Sequence, residues 1–366
     1  MSTAAKDSYR AIGVISGTSM DAIDVALVTT DGRDRVTRGP GASYPYPPEL
    51  RDKLLAVIAD TNRAKSDPLT DIEAAVTQSH GDAIAQFLNE NEVKPQTIDV
   101  IGLHGQTVYH RPEQGLTRQL GRAKDIAARF GIATVGRFRD ADVAAGGQGA
   151  PFVPLYHKAL AAELPQPVVV LNLGGVGNLT YIDGDTVLAF DTGPANAMVD
   201  DFVRKRQGKA FDAGGSLAAS GKPDDNLVKE FARHPFFART PPKSLDRNDF
   251  HDAFAAVERL SDPDGAATLT EFTVCSLVAA QNHLPARPLR WLVTGGGRHN
   301  AHLIRRLAAE LQAIVQPVEA VGWAGDFLEA ECFGYFAVRS LLGLPLSLPT
   351  TTGVPRPLTG GEVARP

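Results

Sequence analysis

The sequence predicts an α/β fold of two related domains facing each other across a cleft, and three observations carry that prediction. Short β-branched runs alternate with amphipathic helical stretches along most of the chain. The series strand, Gly-rich turn, strand, strand, helix occurs twice, from Ile12 and again from Val168, in unrelated sequence. The length of 366 residues suits two cores at roughly 100–200 residues per domain. The boundary is expected near the Gly-rich stretch that starts at Gly146. This gives domains over 1–145 and 146–366, with the C-terminal helix and tail rejoining the first.

The elements follow in order. Ile12 to Ile15 and Ile23 to Val28 read as a strand pair around the turn Ser16-Gly17-Thr18-Ser19, with Asp21 and Asp24 just after it. Val36 to Ser43 reads as a third strand. Leu50, Leu54, Leu55 and Ile58 mark one helix, and Thr70-Asp71-Ile72-Glu73 opens a second as an expected capping box. Ile98 to Leu103 is expected as a short buried strand with His104-Gly105-Gln106-Thr107 at its C-terminal end, where α/β sheets place ligands. Leu116 to Leu120, a helix over 122–130 and a strand over 132–135 complete the first half.

Gly146-Gly147-Gln148-Gly149-Ala150-Pro151 reads as a hinge or crossover. The second half opens with strands over 168–173, 179–182 and 187–190. Asp191-Thr192-Gly193-Pro194-Ala195-Asn196 ends the third of these and starts a helix that Gly208 stops. Three helices, a strand over 289–294, Gly295-Gly296-Gly297, another helix, a strand near Val315 and a last helix over about 324–342 follow. The tail from Pro345, rich in Pro, Thr and Gly, is expected to lie extended on the surface.

Net charge is −5 and the basic residues are scattered, so no nucleic-acid footprint exists. Arg204-Lys205-Arg206, the one compact basic run, reads as a solvated helix face. Cys275 and Cys332 have no metal-ligand spacing and form no disulfide framework, which favours a reducing compartment. Met1 to Arg10 is polar and no apolar run reaches 18 residues, so a cytoplasmic protein without membrane contact is expected. His299 and His302 lack a third ligand and read as a surface pair, and Phe236-Phe237 reads as packing.

The three Gly turns, Gly17-Thr18-Ser19, Gly174-Gly175 and Gly295-Gly296-Gly297, suggest a nucleotide held from both halves, because Gly lets backbone approach phosphate or a flat base. No P-loop motif is present. A dinucleotide fingerprint fails at Thr180, where its third Gly belongs. Asp191 reads either as a helix N-cap or as a base facing the cleft.

In order along the chain, Ser16-Gly17-Thr18-Ser19-Met20-Asp21, His104-Gly105-Gln106-Thr107, Asp142 through Pro151, Asn172-Leu173-Gly174-Gly175 and Asp191 through Asn196 resemble the motif series of the anhydro-N-acetylmuramic acid kinases. These are sugar kinases of the actin-like ATPase (ribonuclease H-like) superfamily. The sequence departs from the family at Ala22 and Ala195, where Gly is usual. The resemblance implies an ATP- and Mg²⁺-dependent enzyme that hydrolyses the 1,6-anhydro bridge and phosphorylates O6, yielding N-acetylmuramic acid 6-phosphate in peptidoglycan recycling. It is compatible with a homodimer.

The resemblance further implies Asp191 as the catalytic base. Gly17, Thr18, Ser19, Met20, Asp21, Ala22, Ile23 and Asp24 would lie under the phosphates, with Asp21 near Mg²⁺ directly or through water. Gly174, Gly175, Gly295, Gly296 and Gly297 would hold the rest of the nucleotide. His104, Gln106, Thr107, Arg139, Asp142 and Glu329 are the candidate sugar contacts. A kinase of another 1,6-anhydrosugar such as levoglucosan, and a non-enzymatic actin-like nucleotide switch, are the alternatives.

Overall fold

The computed structural model describes residues 6–17, 20–245 and 250–366. The chain divides into two compact units, Met1–Ala162 with Phe327–Pro366, and Glu163–Asp326.

The first unit is built on β1 (Tyr9–Ser16), β2 (Ala22–Thr30), β3 (Val36–Pro45), β4 (Val100–Arg111), β5 (Leu116–Leu120) and β6 (Thr134–Gly136). The second is built on β7 (Val168–Leu173), β8 (Val176–Asp183), β9 (Thr186–Pro194), β10 (Arg290–Thr294) and β11 (Ile314–Pro317). A final strand, β12 (Glu362–Ala364), returns to the edge of the first sheet beside β6.

The two sheets share one plan. The first runs β3-β2-β1-β4-β6 and the second β9-β8-β7-β10-β11. In each, the first three strands in sequence pair antiparallel, and two later strands, β4 and β6 or β10 and β11, add in parallel on the other side of the first. The duplication read from sequence is therefore a duplication of topology. Each unit is an α/β layer structure with a mixed sheet. Its central strands β1 and β7 are almost wholly apolar and buried, as strands covered on both faces should be.

In the first unit the helix Leu328–Leu341 lies on β1 and β4. It approaches so closely that a Cβ on Gly13 would stand 1.7 Å from the Ala330 carbonyl oxygen, and one on Gly102 2.0 Å from that of Phe333. Gly13 and Gly102 are register partners on adjacent strands, so together they form the flat seat on which this helix rests. The helix is therefore part of the first unit although the whole second unit precedes it in sequence.

Several expectations need correction. β4 does not end before His104 but continues to Arg111, because its outer half finds a new antiparallel partner in β5. β9 likewise runs on through Asp191 to Pro194. Thr70 makes no capping box: Leu69 is the N-cap in a left-handed conformation, and the Glu73 carboxylate instead accepts from Gly121 N–H and Arg122 Nε. On the helix Pro48–Ala59 the buried residues are Leu50, Leu54 and Val57, leaving Leu55 and Ile58 exposed.

The tail is not simply extended on the surface. It forms the turn Pro349–Thr352 with Thr351 and Thr352 buried, then β12. The stretch 146–151 belongs to the first unit, where Gln148 N–H donates to the Thr352 carbonyl at 2.7 Å and Gly149 N–H to Asp142 Oδ1 at 2.7 Å.

Each basic residue of Arg204-Lys205-Arg206 pairs with a carboxylate, Asp201, Glu258 and Asp262 in turn. Among the described residues no helix is long and apolar enough to cross a membrane.

Candidate active site

Asp191 sits in β9 beside a bulge. Asn178 pairs with Asp191 and Gly177 with Gly193, so Thr192 is the extra residue. Such bulges re-aim side chains and concentrate near active sites. The helix that follows starts at Asn196 with Ala195 as its N-cap, which removes the N-cap reading of Asp191. The Asp191 backbone N–H donates to the Lys243 carbonyl at 2.9 Å, and its Oδ2 accepts from Leu245 N–H at 2.8 Å. Burial pushes its carboxyl up to about 7, against the downward pull of the Leu245 N–H. A carboxyl titrating near neutrality is matched to proton abstraction at cellular pH.

Beside it, Gly174 and Gly175 form the turn between β7 and β8. Their carbonyls accept from Asn196 N–H at 2.9 Å and Ala195 N–H at 3.1 Å, which ties the turn to the helix start. The Asn196 side chain donates to the Leu173 carbonyl at 2.7 Å. Gly295 follows β10 with φ +74°, and a Cβ there would lie 2.4 Å from Asn172 Oδ1 and 2.8 Å from the Leu173 carbonyl oxygen. Only Gly fits. The two turns thus abut.

A cavity of about 420 Å³ opens next to them, lined by Asn196, Asp200, Thr270, Gly296, Gly297 and Asn300 among others. Phe211, 59% exposed, stands in its wall. Among the described residues, Thr270 Oγ1, Thr192 Oγ1, Gln106 Oε1 and Arg290 Nε are buried without a hydrogen-bond partner. Thr270 lines this cavity, so one of the four orphaned groups lies where a polar ligand would satisfy it.

In the first unit, Thr18 and Ser19 lie outside the described residues. Gly17 and Met20 close a turn, with Met20 N–H donating to the Gly17 carbonyl at 3.1 Å and Met20 at φ +55°. Met20 and Ile23 bury their side chains in the core, so only their backbone faces the turn. Asp21 is exposed and meets Arg51 at 3.3 Å, while Asp24 accepts from the Ser43 hydroxyl. The family departures are accommodated: neither Ala22 nor Ala195 has a positive φ, so neither position requires Gly.

Gln106 is fully buried beneath this turn, its Nε2 donating to the Gly17 carbonyl at 3.3 Å. Ser16 continues the support, bonded to Tyr46 Oη at 2.8 Å and lying 3.4 Å from His80 Nε2.

His104 is the residue inserted at the β4 bulge, between the pairs Val14–Leu103 and Ile15–Gly105. Arg139 Nε donates to His104 Nε2 at 2.9 Å, and His104 Nδ1 therefore donates to the Gly105 carbonyl at 3.0 Å, since an arginine cannot accept. Burial and the Arg139 charge hold this imidazole neutral, its pKa well below the usual 6.5. Its ring packs at 4.4 Å on Phe333.

Arg139 also donates to the Gly149 carbonyl, and its guanidinium stands 5.3 Å from the Phe152 ring. Glu329 is accessible on one side and crowded by protein elsewhere. That crowding raises its pKa, Arg139 opposes the rise and Asp24 adds to it. Thr107 is half-buried and accepts from Gln119 Nε2 at 3.3 Å. Asp142 does not pair with Arg139: one oxygen accepts from Gly149 N–H and the other from the Thr352 hydroxyl at 2.6 Å. His104 also borders a polar cavity of about 220 Å³ with Glu73, Arg118 and Asp140.

The structure thus brings together His104, Arg139 and Glu329 in one unit, and Asp191, Gly174, Gly175 and Gly295 to Gly297 in the other. Lys243 and Leu245, which touch Asp191, were not singled out from sequence. Their signal was a polar Pro-Pro-Lys-Ser run between helices, too common to mark a site. Thr270 and Phe211 gave none.

The sequence profile described as anhydro-N-acetylmuramic acid kinase matches residues 9–365. The anhydro-N-acetylmuramic acid kinase of Bradyrhizobium diazoefficiens is 49% identical over 368 residues, 97% of this chain and 99% of that one. Its counterpart in Rhodospirillum rubrum is 48% identical over 353 residues, 96% of this chain and 93% of that one. Among solved structures, component A of the Acidaminococcus fermentans (R)-2-hydroxyglutaryl-CoA dehydratase aligns at a TM-score of 0.49 with 9% identity, over 91% of this chain and 99% of that one. With a family profile matched over almost its whole length and relatives near half identity, this chain belongs to the anhydro-N-acetylmuramic acid kinase family.

Proposed function

We propose that this chain opens the 1,6-anhydro bridge of anhydro-N-acetylmuramic acid and phosphorylates O6 at the expense of ATP. The observation that carries the reading is Asp191: a carboxyl aimed by a strand bulge, held through one oxygen by Leu245 N–H and titrating at about 7. As general base it takes a proton from water. The water oxygen bonds to the anomeric carbon, the C1–O6 bond breaks, and O6 bonds to the γ-phosphorus as ADP leaves. Asp191 then returns its proton to solvent. A base of this kind contributes about 10²–10⁴-fold.

The cavity of about 420 Å³ suits the nucleoside of ATP, being within the range of small-molecule sites. Phe211 offers a ring to the base and Thr270 Oγ1 an unused polar atom. The tight Gly174–Gly175 and Gly295–Gly297 turns let backbone reach the phosphates. Asp21 is the carboxylate that would hold Mg²⁺. Mg²⁺ takes one or two carboxylates with phosphate oxygens, and Asp21, exposed just after the Gly17 turn, offers one. When bound, the ion neutralises phosphate charge during transfer.

On the sugar side, Arg139 supplies a charge for the lactyl carboxylate and Glu329 an acceptor for hydroxyls or the amide. His104 fixes Arg139, and Thr107 adds a hydroxyl. Both Asp142 oxygens are already engaged, on Gly149 and Thr352, and shape the site, whereas Gln106 gives its Nε2 to the Gly17 turn and leaves its Oε1 without a partner.

The test is ATP with a panel of anhydrosugars including levoglucosan, following ADP release and reading the product by NMR. The expected product is the ring-opened 6-phosphate of the muramic acid sugar. Transfer with the anhydro ring intact would remove the role given to Asp191, and preference for levoglucosan would remove that given to Arg139.

A further inference from the structure

Lys243 is the one lysine among the described residues that is buried, at 8% exposure, and it touches the Asp191 strand with its backbone. Its ammonium donates to the Phe236 carbonyl at 3.2 Å and the Phe237 carbonyl at 3.3 Å, and lies 3.3 Å from His283 Nε2. It sits 4.7 Å above the Phe236 ring and 5.7 Å from the ring of Phe190, the residue before Asp191. Desolvating an ammonium is costly, and here the return is carbonyl and π contacts.

Those contacts have a geometric consequence. The side chain pins residue 243 to the 3-10 turn Pro235–Ala238, which belongs to the Phe-rich core of Phe236, Phe250 and Phe272. The Lys243 carbonyl accepts from Asp191 N–H, and two residues on, Leu245 N–H reaches Asp191 Oδ2. The arm from 243 to 245 thus touches Asp191 twice, and it is fixed from behind by the ammonium.

We propose that Lys243 is a positioning residue for Asp191, anchoring the arm whose Leu245 N–H holds the carboxylate in place. The proposal rests on the reading of Asp191 as the base. An anchored N–H keeps the carboxylate oriented and favours its ionised form. Without the anchor the arm loosens, the N–H contact weakens, and Asp191 holds its proton to higher pH.

The charged and titratable groups around this arrangement are few. Toward Lys243 they are Arg239, whose charge adds to burial in lowering the ammonium to about 8, and His283. Toward Asp191 the described neighbours are Asn178 on β8 and the backbone of Leu245. Asp246, Arg247 and Asp249 follow in sequence, outside the described residues.

The test compares kcat against pH for the full chain with ATP and the anhydrosugar, in wild type, Lys243→Met, Lys243→Arg and Asp191→Asn. Lys243→Met should lower kcat about tenfold or more while KM for both substrates changes less than about threefold, and the acid limb of log kcat should move upward by about half a pH unit. Lys243→Arg should recover part of both effects.

A wild-type profile in Lys243→Met overturns the proposal. So does a lower kcat with an unmoved acid limb, which is what a purely structural role gives. Should Lys243→Met fail to fold, Leu245→Pro deletes the donor directly and must move the acid limb; an unmoved limb overturns the proposal. The parent reading fails separately, on turnover by Asp191→Asn. An inactive Asp191→Asn beside a normal Lys243→Met sinks this proposal alone.

Discussion

The two units share a strand order but use it for opposite electrostatic purposes. In the first, a bulge in β4 presents His104, an imidazole held neutral as an acceptor for Arg139. In the second, a bulge in β9 presents Asp191, a carboxyl whose affinity for protons burial has raised. The first unit also buries His80 and His157 and half-buries His110, desolvation lowering their pKa values to about 4, 3 and 4. One frame therefore supplies a proton-poor hydrogen-bonding surface and the other a proton acceptor. The strand order sets where a site forms, and the residue at the bulge sets its chemistry.

The strongest way to break this comparison is Asp191→Asn, expected to lower turnover by about 10²–10⁴-fold with ATP affinity nearly unchanged. The variant should also be more stable. A carboxyl at about 7 in the fold and 3.8 unfolded leaves the folded state binding more protons between those values, so stability is lost as pH rises from 3.8 to 7 and stays lost above 7. Removing it should add about 1–3 kcal/mol at pH 8, read by denaturant melts. A destabilised, active Asp191→Asn would refute both halves of the assignment.

Next in size come one change in each unit. Arg139→Ala should raise the sugar KM about tenfold or more and leave that of ATP alone. Gly295→Ala, clashing with Asn172 and Leu173, should do the reverse. If both constants moved together in either variant, the division of labour between the units would be wrong.

Acid should separate the units more gently. A histidine at about 4 folded and 6.5 unfolded leaves the unfolded state binding more protons between those values, so stability is complete above 6.5 and is lost as pH falls toward 4. Asp191 has the opposite slope below 7. Hydrogen exchange at pH 7 and pH 5 should therefore show protection falling first in the first unit, and equal loss in both would contradict this. The smallest effect expected is that of Asp142→Ala, about 1–3 kcal/mol of stability from the lost Gly149 and Thr352 hydrogen bonds. Its test is a thermal melt alongside a sugar KM raised less than by Arg139→Ala.

Much of the fold was legible because its signals are local. The repeated strand series, the Gly turns and the helix ended by Gly208 all depend on neighbours within a few residues. The strand extents were less legible. His104 and Asp191 both lie inside strands, since β4 and β9 run on past their apolar stretches as hairpin partners of β5 and β8, on backbone pairing that side-chain patterning does not reveal. The Thr70 box failed for a similar reason: Glu73 had a better partner in Arg122, 49 residues away.

By itself the sequence determined the family and the doubled α/β plan, because motif residues and hydrophobic period survive without knowledge of contacts. Tertiary structure alone decided which of the candidate polar residues already have their atoms bonded within the protein. Asp142 looks as polar in sequence as Glu329, but both its oxygens are already bonded, to Gly149 and Thr352. It also decided the proton affinity of Asp191 and the place of Lys243 behind it. Burial and a donor 54 positions along the chain, Leu245, set the first, and contacts with Phe236, Phe237 and, 40 positions on, His283 set the second.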